Sequence, residues 1–340
     1  MRKVLIFGHR GMGCSIPGAL SKFPENSLSA IREARRLGAD GVELDVFLSK
    51  RGEILVLHGY LSTNSLCLTA LPRHPSSGYK RISEEHLVED VDISASDLLH
   101  RKPWALMNET TDEDEYMDNH RRDRKSSFHK YISSVEHFAG ETIPTLDKVF
   151  EEFGDTIQYN IELKGTRPEL GLRVLDVIER YPNVQVFISS FNWIPPKLSE
   201  TSPHIDDDLE QLPNGEVTVD LLRPLVDNRL GVPIGLLFNN LQSRLPSIER
   251  ICECAESFKA QWVNVAHEFW KSPNPLIGSS KTGVEALLHL VDELHGRGLK
   301  LLSYFLESQP DSEEDIKIQL DAGVDVVCAN DVEAALTLNS

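Results

Sequence analysis

The stretch Gly41-Val42-Glu43-Leu44-Asp45-Val46 decides the fold, because it places two carboxylates within one buried, strand-forming run. Two similar runs accompany it, Phe7-Gly8-His9-Arg10-Gly11 before it and Ile54-Leu55-Val56-Leu57-His58 after it. Each run is aliphatic or aromatic and carries ionisable residues at or near its end. Burying such groups costs free energy unless they are paired or used. The sequence therefore predicts that these strand ends meet in a functional site.

Strand and helix patterns alternate along the rest of the chain, which predicts a parallel sheet with helices outside it. The predicted strands are Val4–Gly8, Gly41–Phe47, Glu53–His58, Gln158–Leu163, Val186–Ser190, Pro233–Phe238, Trp262–Ala266, Leu299–Phe305 and Val324–Ala329. The predicted helices are Leu28–Leu37, Thr145–Phe153, Leu170–Tyr181, Ser247–Phe258, Val284–Arg297 and Ser312–Ala322. A closed (β/α)8 barrel has eight strand positions for these nine candidates, so one candidate is expected to be peripheral or wrong.

Residues 59–141 interrupt this alternation and are predicted to form a small subdomain inserted into a single domain, residues 1–340. The spacing from Asp45 to His58 is too short for a helical crossover, so the chain must return in extended form. That return is expected to bring His58 beside Asp45. Within the insertion we expect short helices near Ser83–Glu89 and Ser94–His100, and a solvated loop of mixed charge from Glu109 to Lys125.

The composition is that of a soluble globular protein with a strongly acidic balance. The formal net charge of −18 argues against nonspecific binding to nucleic acid or to anionic lipid. The sequence shows neither a secretory signal nor a membrane-spanning run, and its five scattered cysteines are typical of free thiols. We therefore expect a cytoplasmic protein with a small-molecule partner.

Five ionisable residues fall at predicted strand ends, which form the active-site rim of a parallel barrel: His9, Glu43, Asp45, His58 and Glu162. Taken singly, each has an ordinary explanation, such as a half-buried histidine or a carboxylate paired with Arg10. Glu43 and Asp45, however, are two apart on one strand and point to the same side. Two adjacent carboxylates repel, so one stays protonated unless a cation lies between them.

Glu162 adds a third oxygen donor, and an all-oxygen set suits Mg²⁺ or Ca²⁺ better than zinc. Two histidines beside such an ion suit general acid–base catalysis near neutral pH. Arg10 and Lys164 are placed to bind phosphate oxygens. The reaction class that uses all these groups is phosphodiester cleavage.

Several motifs together resemble the glycerophosphodiester phosphodiesterase family. They are His9-Arg10-Gly11, Pro24-Glu25-Asn26-Ser27, Gly38 to Val46, His58, Ile143-Pro144-Thr145-Leu146, Asn160 to Lys164, Ser189-Ser190-Phe191 and Ala322 to Val327. The resemblance covers most of the chain outside residues 59–141 and the region near 195–230.

The resemblance implies a TIM barrel with an insertion after the third strand, and hydrolysis of glycerophosphodiesters such as glycerophosphocholine to glycerol 3-phosphate and an alcohol. It implies an acid–base pair of two histidines, a divalent cation held by three carboxylates, two phosphate-contacting residues and one residue lining the glycerol pocket. In this sequence these are His9 and His58; Glu43, Asp45 and Glu162; Arg10 and Lys164; and Phe191. Attack by the neighbouring glycerol hydroxyl and direct attack by water both remain open.

The sequence departs from the family pattern in four places. Gly59 stands where an Asp usually follows the second histidine, and Ser303-Tyr304-Phe305 replaces Trp-Thr-Val. Ala329-Asn330-Asp331-Val332 replaces Thr-Asp-Xaa-Pro, and the stretch from Met12 to Phe23, which contains Cys14, is longer than in compact members. These changes bear on substrate choice, and we expect Tyr304 to contact the substrate.

Two other functions are consistent with the same residues. The barrel could cleave lysophospholipids, or glycerophosphoinositol at its other ester bond, because residues 59 and 303–305 differ from the family. Alternatively, it could bind a phosphorylated metabolite without turnover. The sequence does not reveal the alcohol, the choice between Mg²⁺ and Ca²⁺, or the oligomeric state.

Overall fold

In the computed structural model, eight parallel strands close into a barrel, with α-helices between most successive strands along the chain. The structure describes residues 3–13, 23, 25–62, 65–68, 143–196, 219–238, 244–306 and 311–340. The barrel strands are β1 (Leu5–Gly8), β2 (Gly41–Leu48), β6 (Gln158–Leu163), β7 (Gln185–Ser190), β8 (Ile234–Phe238), β9 (Trp262–Ala266), β10 (Lys300–Tyr304) and β11 (Val326–Ala329). Strand β1 pairs with both β2 and β11, which closes the sheet and confirms the predicted (β/α)8 barrel.

The third predicted strand is the peripheral one. Strand β3 (Ile54–Val56) pairs antiparallel with the end of β2, so the chain does return in extended form. The turn between them closes through Ser49, whose backbone N–H donates to the carbonyl of Glu53 at 2.9 Å. Gly52 has a φ of +87°, a left-handed conformation that favours glycine. The strand is shorter than the predicted Glu53–His58, because only its middle pairs with β2.

The predicted insertion begins with a two-stranded antiparallel sheet, β4 (Gly59–Ser62) and β5 (Ser65–Leu68). The short helices expected near Ser83–Glu89 and Ser94–His100, and the predicted charged loop, lie outside the described residues.

Seven α-helices accompany the barrel in the described part of the chain. They are α1 (Leu28–Leu37), α2 (Leu146–Phe153), α3 (Leu170–Arg180), α4 (Ile248–Phe258), α5 (Gly283–Gly296), α6 (Glu313–Ala322) and α7 (Val332–Leu338). Helix α1 begins after Ser27, whose Oγ accepts from the N–H of Ala30 at 3.2 Å, and it ends at Gly38 in a left-handed conformation. The first six helices match the predictions to within about two residues.

Helix α7 was not predicted, because its seven residues are too few for a clear helical period. The Asp331 side chain caps it by accepting from the N–H of Ala334 at 3.0 Å. The short 3₁₀ segments Arg223–Leu225 and His267–Lys271 were also not predicted. None of the helices in the described segments has both the length and the apolar character needed to cross a membrane.

The core has two layers, one between the helices and the barrel and one inside the barrel. In the outer layer, Phe150 of α2 packs edge-on against Tyr159 of β6, with ring centroids 5.0 Å apart. Inside the barrel, Phe187 and Trp262 stack at 4.5 Å. A Cβ at Gly41 would lie 2.3 Å from the Phe7 ring, so this close strand contact requires glycine. The filled interior leaves open space at the carboxyl ends of the strands.

Candidate active site

A cavity of about 290 Å³ opens at the carboxyl ends of the barrel strands. It is lined by His9, Arg10, Glu43, His58, Asn160, Glu162, Lys164, Phe191, Leu237, Leu302, Tyr304, Phe305, Leu306 and Cys328. Eight of the nine site residues predicted from the sequence are in this lining. The ninth, Asp45, contacts Arg10 and Lys164 directly. The structure thus brings all nine predicted residues together.

Three buried carboxylates form the acidic side of the site. Glu43 and Asp45 belong to β2, and Glu162 lies opposite Asp45 in the register of β6. Each offers an oxygen within 4.8 Å of the others. The alternation of side chains along a strand places Glu43 and Asp45 on one face, as predicted.

The three carboxylates differ in proton affinity because their surroundings differ. Burial, followed by repulsion from Asp45 and Glu162, raises the pKa of Glu43 well above its usual range. Burial also raises the pKa of Glu162 to about 7. Burial acts in the same direction on Asp45, but His58, Lys164 and Arg10 outweigh it and hold its pKa below its usual range. These directions agree with the expectation that adjacent carboxylates without a cation do not all ionise.

The two cationic side chains pair with these acids. The Arg10 guanidinium lies 3.1 Å from Glu25 Oε2 and 3.2 Å from Asp45 Oδ2. Arg10 contacts Glu43 through its backbone N–H, which donates to Oε2 at 3.0 Å. The suggestion that its side chain simply neutralises Glu43 was therefore incomplete. Lys164 Nζ lies 2.5 Å from Glu162 and 3.3 Å from Asp45.

Glu25 and Asn26 support this arrangement, although the sequence analysis gave them no individual role. The Asn26 amide donates to Asp45 Oδ2 at 2.9 Å and accepts from the Asp45 backbone N–H at 3.1 Å. Its own N–H donates to the carbonyl of Arg10 at 2.8 Å. Arg10 and Asn26 have φ values of +51° and +57°, which are strained for residues with side chains. The Pro24-Glu25-Asn26-Ser27 motif was the available signal for this support.

The two histidines enter the cavity from different elements. His9 follows β1 in a tight turn, and a Cβ at Gly8 would lie 1.8 Å from the carbonyl oxygen of Gly11. Burial, with a contribution from Arg10, lowers the pKa of His9 to about 3. Burial and Arg10 also lower the pKa of His58 well below its usual range. Both imidazoles are therefore neutral in this arrangement.

One further contact reaches His9 from the far end of the chain. His9 Nδ1 lies 2.9 Å from Asn330 Oδ1, just after β11. In the sequence, residue 330 stands out only as a departure from the family pattern. The sequence likewise assigns no role to Asn160, whose Oδ1 accepts from the Ser189 hydroxyl at 2.8 Å, or to Cys328.

Aromatic and aliphatic side chains form the rest of the cavity lining. The rings of Phe191 and Tyr304 meet edge-on at 6.2 Å, and Lys164 Nζ lies 5.4 Å from the centre of the Phe191 ring. The Tyr304 hydroxyl donates to the carbonyl of Phe238 at 3.2 Å, so the tyrosine presents its ring to the cavity. The site thus combines a charged side with an apolar one.

The acidic side fits a hard divalent cation. Its donors are all carboxylate oxygens, the class that Mg²⁺ and Ca²⁺ prefer. Glu43 Oε1 is buried and has no hydrogen-bond partner among the described residues. A buried oxygen without a partner is costly, and a bound cation would satisfy it.

The sequence matches the model of the glycerophosphoryl diester phosphodiesterase family over residues 9–174. It is 28% identical to a glycerophosphodiester phosphodiesterase of Caldanaerobacter subterraneus subsp. tengcongensis, over 60% of this chain and 65% of that protein. It is 32% identical to a glycerophosphocholine phosphodiesterase of Mus musculus, over 46% of this chain and 20% of that protein. The chain therefore spans less than two thirds of the length of either curated relative.

The fold has the same architecture as a phosphodiesterase of Oleispira antarctica whose structure is solved. The TM-score is 0.59 at 15% identity, covering 99% of this chain and 96% of the other. That structure is a complex with the product sn-glycerol-3-phosphate. At this identity the likeness supports the barrel fold alone.

Proposed function

Because the sequence matches the glycerophosphoryl diester phosphodiesterase family model over residues 9–174, we propose that the chain is a member of this family and hydrolyses small glycerophosphodiesters to glycerol 3-phosphate and an alcohol. One observation carries the proposal: Glu43, Asp45 and Glu162 offer oxygens within 4.8 Å of one another, and two of these carboxylates line the same cavity as His9 and His58. We take glycerophosphocholine as the first substrate to test, since a relative is named for it.

The proposed cofactor is Mg²⁺ or Ca²⁺, held by Glu43, Asp45 and Glu162. The unpartnered Oε1 of Glu43 and the all-oxygen donor set support this assignment. When bound, the cation polarises a phosphoryl oxygen and offsets the negative charge that develops there. Among the protein groups, Asn26 holds Asp45 in place from two sides.

His9 and His58 are the proposed acid–base pair. Both line the cavity and both are neutral, so either can accept a proton from an attacking oxygen. The proton then returns to the leaving alkoxide through the second imidazole. A cyclic phosphate intermediate forms if the glycerol hydroxyl attacks, and none forms if water attacks directly, so detecting this intermediate distinguishes the two routes.

The remaining lining residues are proposed to bind the two ends of the substrate. Arg10 and Lys164 supply positive charge for the phosphate oxygens on the charged side of the cavity. Phe191 and Tyr304 offer ring surface to the glycerol or alcohol part. A volume of about 290 Å³ lies at the lower end of ligand pockets, roughly 300–1,000 Å³, which favours a small head group over a long-chain lipid.

The test is release of glycerol 3-phosphate from glycerophosphocholine by the purified chain, with EDTA and with Mg²⁺ or Ca²⁺ restored. We expect activity only with the cation, and a loss of about 10²- to 10⁴-fold in H9A and in H58A. H289A is the matched control, because His289 lies on the outer helix α5, and it should retain wild-type activity. Turnover that survives both EDTA and H9A would overturn the proposal.

A substrate panel separates this function from the two alternatives. Glycerophosphoinositol and a lysophospholipid are assayed beside glycerophosphocholine, with identification of the phosphate-bearing product. Release of inositol phosphate or lysophosphatidate in preference to glycerol 3-phosphate would replace the proposed substrate. Binding without turnover under every divalent cation would support the non-catalytic alternative.

Two further predictions accompany this function. We propose that residues 59–141 form an inserted subdomain, supported by the β4–β5 hairpin at its start, which pairs with no other strand in the described part of the chain. We also propose a cytoplasmic location, supported by the buried thiols of Cys252 and Cys254, which form no disulfide among the described residues. Limited proteolysis and fractionation of cells test these two statements.

A further inference from the structure

Residue 330 stands in a motif where the sequence departs from its family, and the proposed function gives this residue no task. Asn330 lies directly after β11, next to β1 in the closed barrel. The pairing of Gly8 with Ala329 brings the residues that follow each strand together. His9 and Asn330 are thereby joined at 2.9 Å across 321 positions of sequence.

The Asn330 amide has a defined orientation. Its nitrogen Nδ2 donates to the carbonyl of Leu306 at 3.2 Å and to Asp311 Oδ1 at 3.0 Å. Both partners are acceptors, so the nitrogen must face them. The amide oxygen consequently faces the His9 ring.

Asp311 is itself held in place by the backbone. Its other oxygen, Oδ2, accepts from the N–H of Asn330 at 2.7 Å and from the N–H of Asp331 at 2.9 Å. Burial raises the pKa of Asp311 to about 7, and in its ionised form, at about pH 8, the carboxylate presents only acceptors to the Asn330 amide. Asp311, Asn330 and His9 form a chain in which each hydrogen bond sets the direction of the next.

An oxygen facing Nδ1 requires a proton on Nδ1. In a neutral imidazole that proton leaves Nε2 as the acceptor nitrogen. His9 Nε2 lies 3.8 Å from Glu43 Oε2, which is beyond hydrogen-bond distance, so this carboxylate does not draw a proton to it.

We propose that Asn330, oriented by Asp311, is a positioning residue that fixes His9 as the Nδ1–H tautomer and directs its basic nitrogen to the reacting groups. The assignment of a catalytic task to His9 rests on the proposed function; the tautomer itself does not. His9 accordingly starts the reaction as the proton acceptor at Nε2, and the proton it takes up passes through His58 to the leaving alkoxide.

The first test is a long-range ¹H–¹⁵N correlation spectrum of the chain labelled with ¹⁵N in its histidine rings, at about pH 8, where a histidine is neutral. The His9 signals are identified by their absence in H9Q. We expect Nδ1 at the position of a protonated ring nitrogen and Nε2 at that of an unprotonated one. The reverse pattern overturns the proposal. This measurement requires neither enzymatic activity nor a substitution at Asp311 or Asn330.

The second test removes and then rebuilds the hydrogen-bond chain. N330L takes away the oxygen, and we expect kcat to fall about 10- to 100-fold while the Nδ1–H tautomer loses population. D311N turns an acceptor into a donor toward Asn330, which should rotate the amide and present its nitrogen to His9, with a similar loss. The exchanged pair D311N/N330D restores one amide and one carboxylate with an oxygen facing His9.

We expect the exchanged pair to recover the Nδ1–H signal and at least tenfold of the kcat lost in D311N. A structural role alone predicts that the double variant is no better than the two single ones, and that result overturns the proposal. An unchanged kcat in a folded N330L also overturns it. Wild-type protein that shows the Nδ1–H tautomer yet releases no glycerol 3-phosphate would refute the proposed function instead.

Discussion

Glu43 offers the sharpest perturbation of the site, because its replacement should stabilise the metal-free protein while abolishing its activity. The three carboxylates offer oxygens within 4.8 Å of one another. At an effective dielectric constant of about 20, two charges at that distance repel by roughly 3.5 kcal/mol. Arg10 and Lys164 offset part of this repulsion, but Glu43 Oε1 remains unpartnered among the described residues.

The E43Q substitution keeps the shape and removes the charge. The Gln oxygen still accepts from the N–H of Arg10, which Glu43 does at 3.0 Å. Its amide nitrogen takes the place of the unpartnered oxygen and carries no negative charge, so the repulsion from Asp45 and Glu162 is removed. We expect a gain of about 1–3 kcal/mol, the usual cost of a buried unsatisfied group. At roughly 2.1 cal/mol/K per residue over 340 residues, this raises Tm by about 1–4 °C in EDTA.

The gain should depend on pH in a defined direction. The folded-state pKa of Glu43 is raised, so its contribution to stability is complete below the unfolded pKa and is lost as pH rises through the folded one. E43Q does not titrate, and its advantage over the wild type therefore grows with pH. Added cation should stabilise the wild type, by about 2.7 kcal/mol at 100 times Kd, and leave E43Q nearly unchanged.

Thermal unfolding followed by fluorescence, with EDTA and with Mg²⁺ or Ca²⁺, measures both effects. E151Q is the control, because Glu151 is an exposed residue on α2, and its Tm should not change. Two results would refute the reasoning about the acidic side of the site. One is a Tm of E43Q below that of the wild type in EDTA at alkaline pH, and the other is a cation-induced rise in Tm as large in E43Q as in the wild type.

Three further outcomes follow from individual contacts. N26A removes both hydrogen bonds to Asp45, and we expect about 2–3 kcal/mol lower stability by denaturant unfolding together with weaker cation binding by calorimetry. Because the pKa of Glu162 is about 7, cation binding competes with a proton there, so affinity should rise between about pH 6 and 8; a flat profile by calorimetry contradicts this. F150A empties a fully buried position beside Tyr159 and should lower the free energy of unfolding in denaturant by about 3–5 kcal/mol without changing KM. An altered KM would contradict this prediction.

The barrel and its acidic side could be predicted because their signals are local. Glu43 and Asp45 lie on one continuous buried run, and alternation along a strand fixes their common face. The register of β6 then places Glu162 opposite Asp45. Each step needs only the strand assignment and the rule that carboxyl ends of parallel strands form the rim. The motifs resembling the family pointed to the same residues.

The side-chain partners could not be predicted in the same way, because they depend on directions that no short pattern encodes. Arg10 carries a positive φ, so its backbone N–H meets Glu43 while its guanidinium turns to Glu25 and Asp45. The contact between His9 and Asn330 exists only after the first and last strands pair. Residue 330 drew attention as a departure from a motif, but its role required the closed barrel.

The formal charge of the site explains why its pKa values are so unequal. Four buried carboxylates share the site with two cationic side chains: Glu25, Glu43, Asp45 and Glu162 with Arg10 and Lys164. When all six are ionised the group carries two net negative charges, and a low-dielectric interior does not hold these without compensation. Raised pKa values at Glu43 and Glu162 supply that compensation as protons. One divalent cation supplies the same two charges without protonating either ligand, whereas a monovalent ion leaves a negative charge beside an anionic phosphodiester.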